Sequence, residues 1–156
     1  MKPSLLIALA LLAASPAAGQ EESLMQDAIN GAQTAGFKIF DKDEDGKATP
    51  AELLEGSKEV FAALDQDQSG FANAEEFQAF SMGFQPLADR LSRQAEYREA
   101  RNAIFTRWDM DANQELTVSE VAAAILTEAF TAGEAGIDQA GYGKSQFIAE
   151  MSAVIE

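Results

Sequence analysis

The chain has no cysteine and no histidine among its 156 residues. Without cysteine there are no disulfides, zinc thiolate sites, cysteine nucleophiles or lipid-modified cysteine anchors. Without histidine there is no imidazole base or imidazole metal ligand, and the usual hydrolytic triad falls with it. Basic residues are scarce, 11 Lys and Arg against 26 Asp and Glu, for a formal charge of −15. Nucleic acid and anionic membrane surfaces would be repelled by most of such a surface, and cations are its natural partners. What is present is 47% hydrophobic residues, enough for a packed core in one compact domain or two small lobes.

The one long apolar run, Leu5 to Ala14, follows a single charge at Lys2 and precedes Ser15-Pro16-Ala17-Ala18-Gly19-Gln20. It falls short of the ~20 apolar residues of a membrane span. The order of charge, apolar run and small residues is that of a secretory signal peptide removed after Gly19. The expected organisation is therefore a leader over 1–19 and a domain over 20–156, periplasmic or secreted, with no membrane span in the mature chain.

Three stretches carry side-chain oxygens at a common spacing: Asp41 to Glu52, Asp65 to Glu76 and Asp109 to Glu120. Oxygens at positions 1, 3 and 5 of a twelve-residue loop converge as the backbone curls. Position 7 offers its carbonyl, position 9 works through a water, and a glutamate at 12 closes the shell around a hard cation. Loop one supplies Asp41, Asp43, Asp45 and Glu52, with the Lys47 carbonyl and Thr49. Loop two supplies Asp65, Asp67, Ser69 and Glu76, with the Phe71 carbonyl and Asn73. Loop three supplies Asp109, Asp111, Asn113 and Glu120, with the Glu115 carbonyl and Thr117. Loop one has the most negative shell and is expected to bind most tightly. Loop three has Gln114 where glycine is usual at the sharp turn; a left-handed backbone there costs on the order of 1 to 2 kcal/mol, or about tenfold in affinity. Magnesium fits such a flexible oxygen shell less well than calcium.

Each loop runs into a helix start. Thr49-Pro50-Ala51-Glu52 and Thr117-Val118-Ser119-Glu120 have the capping-box pattern, and Asn73 is a third cap. A helix is expected from Ser23 to Phe40, and two more between Phe77 and Trp108, broken near Gly83 to Pro86. All five arginines lie in or beside that middle stretch, at 90, 93, 98, 101 and 107, and read as a solvated face balanced by Asp89, Glu96 and Glu99. A fourth, degenerate loop is expected at 135–146, closing on Gln146 and holding no calcium. Only twelve residues, Leu53 to Leu64, separate loops one and two, so one helix must serve both and hold them ~18 Å apart. The expected pairing is loop two with loop three and loop one with the degenerate fourth, through Ala48, Ala72, Leu116 and Tyr142.

The three loops resemble those of the EF-hand superfamily. With the exported setting and close spacing, they resemble small bacterial periplasmic EF-hand proteins of the lanmodulin type. The resemblance implies an all-α, compact helical bundle and, for lanmodulin itself, trivalent ions. Lanmodulin loops carry Pro at position 2 and Asp at position 9; here Lys42, Gln66 and Met110, and Thr49, Asn73 and Thr117, stand there. Fewer carboxylates favour a divalent ion. The expectation is a non-enzymatic protein holding about three calcium ions as buffer, sensor or calcium-ordered module for an envelope protein, the alternative being a lanthanide-binding periplasmic protein.

Overall fold

The computed structural model describes residues 16–80, 83–130 and 136–155. The apolar run of the expected leader lies outside these residues, as does Ala135 of the expected fourth loop. Eight helices and four two-residue strands make up the described chain, an all-α arrangement. They are α1 (Pro16–Phe37), β1 (Lys47–Ala48), α2 (Pro50–Leu64), β2 (Ala72–Asn73), α3 (Ala74–Ala79), α4 (Gln85–Arg90), α5 (Gln94–Trp108), β3 (Glu115–Leu116), α6 (Val118–Phe130), β4 (Ile137–Asp138), α7 (Gln139–Gly143) and α8 (Gln146–Ala153). Among them, no helix is long and apolar enough to cross a membrane.

The helix starts follow from local chemistry. Thr49 accepts from the Glu52 N–H while Glu52 accepts from the Thr49 N–H, and Pro50, whose missing N–H is no loss there, begins α2. Asn73 and Glu76 make the same reciprocal pair at α3, and Thr117 and Glu120 at α6. Each such cap stabilises its helix by about 1 kcal/mol.

The strands pair across the sequence. β1 lies antiparallel to β4, with Ala48 opposite Ile137, and β2 antiparallel to β3, with Ala72 opposite Leu116. The period-two alternation turns one residue of each strand inward, and Ala48, Ala72, Leu116 and Ile137 are all buried. Helix α2 runs from the β1–β4 pair to the β2–β3 pair and α6 runs back, so the two lie antiparallel between the same two ends. They make the most extensive helix–helix packing of the fold. Leu53, Val60 and Leu64 of α2 and Val121 and Ile125 of α6 belong to one core, which also holds Phe77, Trp108 and Phe147.

Loop one thus pairs with the fourth segment, and loop two with loop three. The register of the fourth segment differs from expectation. Ile137, not Tyr142, opposes Ala48, and Tyr142 and Gln146 lie in α7 and α8. Counting back from Ile137 puts the twelve positions on 130–141, with Phe130 first and Gly141 last. Gly141 stands where the other loops close on a glutamate, so no closing carboxylate marks the register of this segment.

The middle stretch also departs from expectation. It forms three helices, because the chain breaks again at Leu91–Arg93, where Ser92 takes φ +57°. Nor are its arginines all solvated. Arg101 is buried, its guanidinium donating to the carbonyl oxygens of Phe77, Gln78 and Phe80 at the end of α3 and lying over the rings of Phe77 and Tyr97. Arg107 pairs with Glu128 at 3.2 Å and Glu150 at 3.0 Å, and the buried Glu128 also accepts from the Trp108 indole and the Phe147 N–H. Of the large apolar residues Phe77, Phe80, Phe84, Leu87 and Leu91 in this stretch, Phe77 and Phe84 are fully buried, Phe80 and Leu87 pack on the core, and Leu91 is exposed.

Candidate metal centres

Every loop begins on the last turn of a helix. The N–H groups of Asp41, Asp65 and Asp109 donate to the carbonyls of Phe37, Phe61 and Phe105, which fixes the first carboxylate relative to the core. The backbone then turns through two left-handed residues, at positions 4 and 6. Position 4 holds Glu44, Gln68 and Ala112, with φ of 59°, 59° and 58°; position 6 holds Gly46, Gly70 and Gln114, with φ of 88°, 89° and 70°. Gln114 therefore adopts the turn that its side chain disfavours. The strained position 4 was not visible in the sequence, because none of its three residues is glycine or asparagine.

These turns aim N–H groups inward, and they hold the carboxylates in place. The first Asp of each loop accepts from the N–H of residue 6: Gly46 to Asp41 at 3.1 Å, Gly70 to Asp65 at 2.9 Å and Gln114 to Asp109 at 2.9 Å. The residue at position 3 accepts from the N–H at position 5, and that at position 5 from the N–H at position 7. The closing glutamate spans the loop, one oxygen on the N–H at position 2 and the other on the N–H at position 9. For Glu52 these lengths are 3.0 and 2.9 Å, for Glu76 3.0 and 3.0 Å, and for Glu120 3.0 and 2.8 Å.

Like charges are brought together as a result. Asp41, Asp43 and Asp45 each offer a carboxylate oxygen within 4.8 Å of the others, as do Asp65, Asp67 and Glu76, and Asp109, Asp111 and Glu120. Glu52 lies outside the group in loop one. Ser69 and Asn113 stand at position 5 in the other two, where Ser69 donates to the Phe71 carbonyl and Asn113 to Asp111. Lys47, Phe71 and Glu115 occupy position 7, on or beside the strands, and Thr49, Asn73 and Thr117 serve as caps. Among the described residues, no ion pair joins a Lys or Arg to any of the clustered carboxylates; Lys42, in loop one, reaches Glu59 instead.

The donor set fits a hard cation. It is all oxygen and largely anionic, and Asp41 Oδ1 is buried with no hydrogen-bond partner, a position that an ion at the loop centre would satisfy. Two of the closing carboxyls, Glu52 and Glu120, are held in their charged form. The Thr49 hydroxyl, then the Thr49 N–H and those of Lys42 and Asp43, keep Glu52 below its ordinary range against some desolvation. Burial pushes Glu120 up, and is outweighed by the Thr117 N–H and hydroxyl with the Met110 and Asp111 N–H groups.

Residues 58–81, the end of α2, loop two and all of α3, match the family model of the EF hand. Together with the three acidic groups this supports the EF-hand superfamily, within which the all-α fold also falls. A search of curated proteins and a search of solved structures found no match to the chain. The EF-hand segment suggests calcium binding.

Proposed function

We propose that the protein is an exported, non-enzymatic calcium-binding protein that takes up about three ions and uses them to hold its two ends together. The observation that supports this best is the repetition, in three loops, of converging carboxylates held by inward N–H groups and, among the described residues, joined in no ion pair to a Lys or Arg. Asp41, Asp43, Asp45 and Glu52 would hold one ion, Asp65, Asp67, Ser69 and Glu76 a second, and Asp109, Asp111, Asn113 and Glu120 a third. The carbonyls of Lys47, Phe71 and Glu115 would complete the shells, and Thr49, Asn73 and Thr117 support hydration while starting the helices. A bound calcium supplies charge neutralisation, so that carboxylates that repel one another instead share a counter-ion.

A stabilising or buffering role is the first reading, with Phe77 and Phe84 part of the one buried core; a sensor would release such residues from the core on binding calcium. A trivalent ion is the second reading, and the four carboxylates of loop one are the observation in its favour. Calorimetric titration of chelator-treated protein with calcium and then with a lanthanide is the test. About three equivalents of calcium are expected. A dye for exposed apolar surface should lose signal as calcium is added; a gain would turn the reading to sensing. No uptake of either ion, with helicity and melting point unchanged by chelator, ends the proposal.

A further inference from the structure

Phe40 and Trp108, the residues just before loops one and three, also face the centre of the bundle, where an apolar cavity of about 290 Å3 lies between α1, α2 and the C-terminal helices. Its aromatic wall is fixed by ring contacts: Trp108 meets Phe147 edge-on at 5.7 Å, and Tyr142 meets Phe147 at 6.0 Å and Phe40 at 5.7 Å. The α1 side offers only small residues, among them Ala32 and Gly36. A cavity of roughly 150 Å3 accepts benzene, so this one has room for a molecule of about two fused rings.

One polar group stands in that wall. Tyr142 is 5% exposed, and its hydroxyl lies against Gly36, where an added Cβ would fall 2.5 Å from the oxygen. The hydroxyl makes no hydrogen bond to any described residue, and its oxygen keeps some accessible surface, open to the cavity. Burial raises the phenol above its ordinary range, so it stays protonated and able to donate. Among the described residues no charged side chain lines the cavity, and a charged ligand would lose its hydration there without compensation.

We propose that the cavity is a binding site for an uncharged aromatic molecule carrying one hydrogen-bond acceptor, its rings among Phe40, Trp108 and Phe147 and its acceptor on the Tyr142 hydroxyl. None of these residues is a candidate metal ligand, so the site stands apart from the loops.

Trp108 is the only tryptophan, and its fluorescence reports on occupancy. The probes are 2-acetylnaphthalene, which has a carbonyl acceptor, and 2-ethylnaphthalene, which has the same shape without one. Titrating the full chain, with and without calcium, is expected to quench Trp108 saturably, the ketone binding about fivefold more tightly than the hydrocarbon. Tyr142→Phe is expected to erase that difference while leaving the hydrocarbon unchanged. Ala32→Leu, which fills the cavity, should abolish both, with Ala35→Leu at the same wall as the substitute if Ala32→Leu loses its helical circular dichroism. No saturable quenching in either condition overturns the proposal. So does an equal loss of both probes in Tyr142→Phe, or undiminished binding in a folded cavity-filling variant.

Discussion

Gly136 lies so close to Ala48 that a Cβ on it would stand 2.5 Å from the Ala48 carbonyl oxygen, and it does so at φ +96°. Both facts demand glycine, one by close approach and the other by backbone conformation. This contact sits at the pairing of loop one with a segment that has lost its closing carboxylate. Gly136→Ala is expected to push β4 off β1 and destabilise the fold by about 2 to 4 kcal/mol. Denaturant unfolding would measure it, and a loss below about 0.5 kcal/mol would mean that the pairing is not held there.

Glu52→Gln should remove the first site. The glutamine keeps the size of the side chain and loses the charge that would face the ion, so calorimetric uptake is expected to fall from about three equivalents to about two. Loops two and three are joined by β2 and β3, so Glu76→Gln is expected to weaken binding at loop three as well. Loss of the second site alone in Glu76→Gln, with loop three unchanged, would show that the strand pairing carries no coupling.

Gln114 holds a left-handed turn at φ +70°. Gln114→Gly relieves a strain on the order of 1 kcal/mol in the loop, so calcium affinity at loop three is expected to rise by about fivefold. The measurement is a titration of the variant against the parent, and an unchanged or weaker third site counts against the strain.

Among the described residues Arg101 has no carboxylate partner, and its charge is balanced by the carbonyls of Phe77, Gln78 and Phe80 and by two aromatic faces. It ties α5, which leads into loop three, to α3, which leaves loop two. Arg101→Met leaves those carbonyls buried without a donor and is expected to cost about 2 to 4 kcal/mol in chemical unfolding. A neutral result would place the guanidinium in solvent.

Both tyrosine phenols are pushed up from 10.0, Tyr142 by burial and Tyr97 by burial against the opposing charge of Arg101. A raised folded value means that the folded chain keeps protons that the unfolded chain releases, so this stability is complete below about pH 10 and is lost as pH rises through the folded values. Tyrosinate absorbance is expected to appear together with loss of helicity, late and cooperatively. Glu52 and Glu120, held below 4.5, act in the opposite sense: their contribution is present above the unfolded value and is lost on acidification through the folded one. Smooth tyrosine titration near pH 10 with helicity intact would contradict the burial of both rings.

The three loops, their closing glutamates, their caps and the single helix between loops one and two were legible because each is a local pattern of residues a few positions apart. The partnering of loop one with the C-terminal segment was legible too, from the length of one helix. The register of that partnering was not. It depends on Gly136 fitting beneath Ala48, a contact between distant segments that leaves no periodic trace.

The sequence alone determined where acidic oxygens cluster and where helices start, since spacing along one turn or one loop settles both. Tertiary packing alone decided that Arg101 is buried, that Glu128 gathers Arg107, Trp108 and Phe147, and that Tyr142 faces a cavity. Those outcomes depend on which surfaces meet when α2 and α6 come together, and burial is a property of neighbours that no single segment carries.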